Sequence, residues 1–286
     1  MNKNSHSLVL GFLAIICWAS LASLGNLVIH LPPFYVLSVS FLTGSLLALR
    51  KPKEMFVDIK TTAWGTLGYY GYHFFLFYSF RFAPAIEANL INYLWPMLMV
   101  LLTPLFFPKT KLKYYHFFGA LLATAGCIVL VFGKGADFQF NNMKGYLLAL
   151  GAAFSWPIYS LGKKKMGSPS VWSVGGYCFL TSLLCFLTHF CIEPRVVLQW
   201  HDALILIVMG LGPFGFAFYA WDYSVLKGNP QVIGALSYLT PVLSTLGLVL
   251  FSDQILTLPT ALAMILIIAG ASSGLLDFLP SKDLVK

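Results

Sequence analysis

The sequence predicts an all-α polytopic membrane protein, with ten transmembrane helices in two inverted five-helix repeats. Three observations predict it. The 286 residues are 58% apolar and only 10% charged, with a mean hydropathy of +0.80, whereas a soluble domain carries about 25% charged residues. The tetrad Tyr-Leu-x-Pro occurs twice in apolar stretches of spanning length, as Tyr93-Leu94-Trp95-Pro96 and Tyr238-Leu239-Thr240-Pro241. Each tetrad lies fifteen residues after a Tyr-Ser pair, Tyr78-Ser79 and Tyr223-Ser224. Finally, the basic residues fall in alternate loops once the spans are drawn.

The spans are placed near 8–28, 32–49, 62–81, 84–106, 114–132, 145–161, 169–190, 203–225, 229–251 and 258–278, each about 20 residues long as a bilayer requires. They are helices, because lipid offers backbone polar groups no partner and only helices or closed barrels pair them internally. The short alternating segments of barrel strands are missing. The first repeat occupies residues 1–133 and the second 144–280. Five is odd, so the second repeat enters the membrane with the opposite orientation, which makes the two inverted.

With the N-terminus inside, the inner loops and tails hold Lys3, Arg50, Lys51, Lys53, Lys60, Lys109, Lys111, Lys113, Lys163, Lys164, Lys165, Lys227, Lys282 and Lys286, or 14 of the 18 basic residues. Arg81, Lys134, Lys144 and Arg195 remain outside. This bias orients the chain with both termini cytoplasmic. It also gives the net charge of +8 a topological meaning and points to a lipid bilayer as partner, with no nucleic acid. The run Lys163–Lys165 reads as part of this signal, or as a contact for anionic lipid. The first span superficially resembles a cleavable leader. However, Trp18 followed by Ser23-Leu24-Gly25 is echoed by Trp156 followed by Ser160-Leu161-Gly162, which makes that span part of the repeat.

Several patterns carry no chemistry here. Gly210-Leu211-Gly212-Pro213-Phe214-Gly215 matches a dinucleotide fingerprint but has no preceding strand. Lys134 between two glycines lacks phosphate-loop spacing. The five cysteines form no CxxC pair and read as packing residues. No catalytic, cofactor or metal motif stands out. Glycines 65, 68 and 71 in span three, and 270 and 274 in span ten, permit close helix approach.

The polar residues inside spans carry the functional reading. Pro96 and Pro241 each remove a backbone donor and free the carbonyl four residues earlier, at Asn92 and Ser237. Each is a plain kink or part of a solute path. In the second case a solute amino group meets the carbonyl while its side chain packs on Trp95 or Tyr238. Pro157 in span six is a third expected helix break, next to the binding candidate Trp156. Glu87, about one turn into span four, is either a carboxylate that takes a proton or a solute amine, as intramembrane ionisable groups often do, or a mouth residue paired with Arg81. Asp222, with Tyr219 on its face, is either an interfacial partner of Lys227 or part of transport. In span four the side carrying Asn92 and Trp95 is assigned to the cavity. Tyr69, Tyr72 and His73 share one face of span three and form an aromatic, weakly polar wall suited to a solute with an apolar ring and an amine.

These residues resemble the EamA branch of the drug/metabolite transporter superfamily, and within it the bacterial aromatic amino-acid exporters. The likeness covers nearly the whole chain. It rests on Ala85-Ile86-Glu87 leading to Asn92-Tyr93-Leu94-Trp95-Pro96, on Gly215-Phe216-Ala217, Ala220-Trp221 and Gly228-Asn229, and on Ser237-Tyr238 with Thr240-Pro241-Val242-Leu243-Ser244. It implies a central cavity between the halves and alternating access, with export of aromatic or other amino acids or related metabolites across a bacterial inner membrane, protons being a candidate partner. The chain departs from the family pattern around His73 and at Asp222, where Asn is common. Uptake or exchange of another small metabolite is the alternative. A lipid scramblase or an intramembrane enzyme is the alternative of a different class.

Overall fold

The computed structural model describes residues 3–132, 138–167, 170–251, 257–273 and 276, and every regular element among them is helical. Lys134, Gly274, Lys282, Lys286, part of the loop expected at 133–144 and the end of the tenth expected span lie outside the described residues.

The chain begins with α1 (Lys3–Ala19) and α2 (Leu21–Leu27), one rod interrupted at Ser20, whose hydroxyl turns back to the Cys17 carbonyl at 2.7 Å. Helix α3 (Pro33–Ser45) starts on a proline, which needs no amide donor in a first turn, and ends in a 3₁₀ turn at Leu46–Arg50. Helix α4 (Ile59–Ser79) is started by Asp58, whose carboxylate accepts the Thr61 N–H at 2.9 Å. Next, α5 (Ala85–Asn92) stops before Pro96, the chain turns through Tyr93 and Leu94, and α6 (Trp95–Phe106) restarts with Pro96 in its first turn. After α7 (Tyr114–Phe132), α8 (Met143–Met166) ends at Gly167, whose φ of 66° is the left-handed cap that glycine supplies. Helix α9 (Ser173–Ile192) follows. Then α10 (Trp200–Leu211) passes through a π turn at Gly212–Phe216 into α11 (Ala217–Lys227). Helices α12 (Pro230–Leu236) and α13 (Leu239–Phe251) are separated at Ser237–Tyr238, and α14 (Leu258–Ser272) closes the set.

Two details differ from the sequence expectation, and the structure adds a third. Helix α8 runs through Pro157 without interruption, so Pro157 is not a helix break; the turns on either side hold the helix together despite the one donor proline lacks. The Ser237 carbonyl is not left free by Pro241, because it accepts the Thr240 N–H at 3.1 Å and the Thr240 hydroxyl at 2.8 Å. The glycine-rich motif at 210–215 contributes to the π turn, where Pro213 withholds a donor and local widening absorbs the mismatch.

Five stretches are long and apolar enough to cross a membrane: Ser5–Leu27, Pro33–Arg50, Ala85–Phe106, Ser173–Ile192 and Trp200–Lys227. Two shorter apolar helices, Tyr114–Leu130 and Leu258–Ser272, accompany them. Large apolar side chains such as Leu105, Leu187 and Ile265 are exposed on the exterior, the arrangement of a multi-pass membrane protein rather than one packed against water.

Helix α1 packs on α11, α3 on α9, α4 on α8 and α7 on α14. Each pairing joins a helix before residue 133 to one after residue 142. Close approach has local causes. A Cβ at Gly65 would meet the Tyr177 ring and one at Gly68 the Tyr159 ring, whereas Gly71 has no such neighbour within 4 Å. The larger hydrophobic core is aromatic and central, and a second, smaller one lies between α7 and α14.

Candidate functional site

The two interrupted rods, α1–α2 and α5–α6, together with α3, α4, α8, α10–α11 and α13, enclose a cavity of about 610 Å³. It runs from the middle of the bundle to the end where α2 gives way to α3, with Ile29, Phe80 and Ile86 near that end. Its floor is built from Trp18, Trp95 and Trp156, on three rods, and is backed by the fully buried Trp221 on a fourth. Trp18 lies 6.5 Å from Trp95, 5.8 Å from Trp156 and 5.2 Å from Trp221 between ring centroids, and Trp95 lies 5.5 Å from Trp221. All four contacts are edge-to-face or tilted, the geometry favoured by aromatic quadrupoles. Two indoles are also anchored by hydrogen bonds. Trp18 Nε1 donates to the Pro213 carbonyl in the π turn at 3.1 Å, and Trp221 Nε1 donates to Ser160 Oγ at 3.1 Å.

Polar atoms on the wall are few and uncharged. Asn92 Nδ2 donates to Tyr72 Oη at 3.1 Å. His73 Nδ1 lies 2.7 Å from the Tyr69 carbonyl. A carbonyl only accepts, so Nδ1 carries the proton. Among the described residues, no Asp, Glu, Lys or Arg lines the cavity.

Of the nine residues picked from sequence as binding candidates, Tyr72, His73, Asn92, Trp95 and Trp156 line this cavity, and the other four are placed elsewhere. Tyr69 is fully buried beneath the floor, 4.7 Å from Phe218 and 5.0 Å from Tyr159. Tyr219 reaches the Gly44 carbonyl at 3.4 Å. Tyr238 exchanges a hydrogen bond with Thr124 at 2.9 Å and donates to the Ala120 carbonyl at 3.3 Å, facing α7 rather than a solute. Glu87 is 3% exposed, and its carboxylate accepts the Tyr146 hydroxyl at 2.5 Å across the α5–α8 contact.

Sequence reasoning assigned only the Asn92 and Trp95 side of span four to the cavity. The break after Asn92 brings Asn89 and Tyr93 to the wall as well. Trp18, Phe214 and Phe218 were missed as lining residues. The one signal for Trp18 was its echo of Trp156 in the second repeat.

Beneath the floor lies a buried charge network. Lys163 is 1% exposed and forms an ion pair with Asp222, while donating to Ser173 Oγ at 3.1 Å and sitting 4.5 Å from the Tyr177 ring centroid. Tyr159 Oη donates to the other Asp222 oxygen at 2.7 Å. Lys163 is therefore an interior residue rather than a loop charge, and Asp222 pairs with it instead of Lys227. The next lysine, Lys164, donates to the carbonyls of Val225, Leu226 and Gly228 at 2.8–3.0 Å, capping the C-terminus of α11 where a cation is favoured.

At the open end, Glu193 accepts the Phe34 and Tyr35 N–H groups at 3.0 and 3.2 Å, and His189 Nδ1 lies 2.9 Å from it. This carboxylate caps the start of α3 from the end of α9.

The model of the EamA-like transporter family matches residues 6–132 and again residues 143–273. The aromatic amino acid exporter YddG of Ancylobacter novellus is 35% identical over 95% of this chain and 97% of its own. Its Escherichia coli namesake is 30% identical over 63% of this chain and 65% of its own. A probable amino-acid metabolite efflux pump of Salmonella typhimurium is 23% identical over 87% of each chain. A crystal structure superimposes with a TM-score of 0.92 at 33% identity, covering 98% of this chain and 100% of its own.

Proposed function

The chain belongs to the EamA-like transporter family, and we propose that it exports aromatic amino acids, or related amino-acid metabolites, by alternating access through the central cavity. The observation that carries this reading is an uncharged, tryptophan-floored cavity of about 610 Å³, closed on one side by the network around Lys163 and Asp222. That volume falls within the about 300–1,000 Å³ of small-molecule sites. Neutral polar atoms and aromatic faces suit a zwitterion with an apolar ring.

The proposed frame is ten spans in two inverted repeats, residues 1–133 and 144–280. The helix pairings support it: exchanging the halves turns the α1–α11 contact into the α8–α4 contact and leaves α3–α9 and α7–α14 unchanged. The positive-inside bias supports a frame with both termini in the cytoplasm, in which the cavity is outward-open and the Lys163–Asp222 side is the closed inner gate. Glu87, bound to Tyr146, holds α5 against α8 rather than touching solute.

Counterflow in proteoliposomes tests the reading. Vesicles loaded with Phe should accumulate labelled Phe and Trp above protein-free vesicles, with Ala much weaker, and an imposed proton gradient should change the rate if protons are coupled. No counterflow of any aromatic amino acid, alongside lipid scrambling or uptake of a different solute class, would replace it.

A further inference from the structure

We infer that the Asn92 side-chain carbonyl, on a cavity wall that His73 also lines, is the subsite that holds the solute's ammonium group. The inference rests on the proposed amino-acid transport and deepens it. Asn92 is 6% exposed and lines the cavity, and its Oδ1 is buried without a hydrogen-bond partner among the described residues. The amide nitrogen is already committed to Tyr72 Oη at 3.1 Å, so the atom left over is an acceptor. Buried polar atoms are normally hydrogen-bonded, so an open acceptor on a cavity wall calls for a partner, and the solute can bring that donor.

Three further observations make that donor a cation rather than a hydroxyl or a carboxylic acid. His73 uses Nδ1 on the Tyr69 carbonyl at 2.7 Å, which leaves Nε2 as a lone-pair acceptor on a residue that also lines the cavity. The Tyr72 ring links the two acceptors, 4.9 Å from the His73 ring and bonded to Asn92 through its hydroxyl. Asn92 is also the last residue of α5, where the chain breaks before α6, and the carbonyl end of a helix carries the negative partial charge that attracts a cation. The tryptophan faces of Trp95 and Trp156 complete a surface for an ammonium and its neighbouring ring. With no carboxylate on the wall among the described residues, the ammonium is held by neutral acceptors, and a zwitterion enters without leaving an unpaired protein charge behind.

The test is competition for labelled Phe binding in purified protein by phenethylamine, which keeps the ammonium and lacks the carboxylate, and by 3-phenylpropionate, which has the reverse. In the unaltered protein phenethylamine should compete and 3-phenylpropionate should compete weakly. Asn92→Leu should weaken Phe and phenethylamine about tenfold, near 1.4 kcal/mol, and leave 3-phenylpropionate unchanged. Asn92→Asp, which keeps the size and adds a negative charge, should tighten phenethylamine relative to Phe; this variant decides the matter if Asn92→Leu folds poorly. Equal losses for all three ligands in Asn92→Leu, or preferential competition by 3-phenylpropionate in the unaltered protein, overturn the ammonium subsite. Failure of the unaltered protein to bind any of the three instead removes the transport reading beneath it.

Discussion

Removing one member of the Lys163–Asp222 pair should cost far more stability than removing both. The side chains are 2% and 4% exposed, so each charge has exchanged bulk water for its partner. The carboxylate keeps Tyr159, and the ammonium keeps Ser173 and the Tyr177 ring. None of these neighbours carries a full opposite charge. In Asp222→Asn the buried ammonium loses its counter-ion, and in Lys163→Met the carboxylate does. Breaking a buried pair from one side costs about 3–5 kcal/mol, whereas replacing both members with apolar residues is neutral or stabilising by about 1–4 kcal/mol. For a chain of this size each kcal/mol moves the unfolding midpoint by about 2–4 °C, so each single variant should melt about 6–20 °C lower. Lys163→Met combined with Asp222→Leu should melt at or above the unaltered protein. Cys127, Cys178 and Cys185 are at most 1% exposed, so the rise in thiol-reactive dye signal above that of exposed Cys191 and half-buried Cys17 reads global unfolding in detergent. Single variants within about 2 °C of the parent, or a double variant no better than the worse single, would refute the claim that the two charges depend on one another.

Trp95→Ala removes one wall of the floor and its 5.5 Å contact with Trp221. Because an aromatic pair is worth about 0.5–1.5 kcal/mol beyond its buried area, counterflow affinity should fall about two- to tenfold more for Phe than for Leu. Glu193→Ala leaves the Phe34 and Tyr35 N–H groups without their carboxylate; at about 1–3 kcal/mol for orphaned donors, dye-monitored melting should drop by several degrees, with Glu193→Gln recovering part of the loss. Gly68→Leu drives a side chain into the Tyr159 ring and should destabilise by about 1–3 kcal/mol, whereas Gly71→Leu, with no such neighbour within 4 Å, should melt near the parent.

Which parts of this protein were legible in its sequence follows from how far each cause reaches along the chain. The interruption of α5–α6 is a local consequence of a proline that lacks a donor, and the repeat of Tyr-Leu-x-Pro marked its counterpart in α12–α13. The same local rule failed at Pro157, where a long helix bridges the gap, and at Ser237, whose carbonyl Thr240 takes over. Site residues followed a different logic. Tyr72, His73, Asn92 and Trp95 lie on the wall because they sit near the break or on one face of α4, and that much could be read from spacing.

Repeat position alone did not transfer a role. Tyr93 lines the cavity, while Tyr238, its equivalent in the second tetrad, bonds Thr124 on α7. The difference comes from which helix faces it, and a linear pattern does not carry that information. Lys163 is the sharpest case. Inside a Lys-Lys-Lys run at the end of a span it reads as a topology signal, and Lys165 remains exposed as that reading requires. However, α8 extends past the expected end of the span and turns successive lysines through about 100° each, the angle of a 3.6-residue helix. One lysine therefore faces α11 as a cap, one faces solvent, and Lys163 faces Asp222 in the interior. A charge run on a helix thus divides among three environments, and only the partner 59 residues away reveals which lysine belongs to the closed side of the cavity.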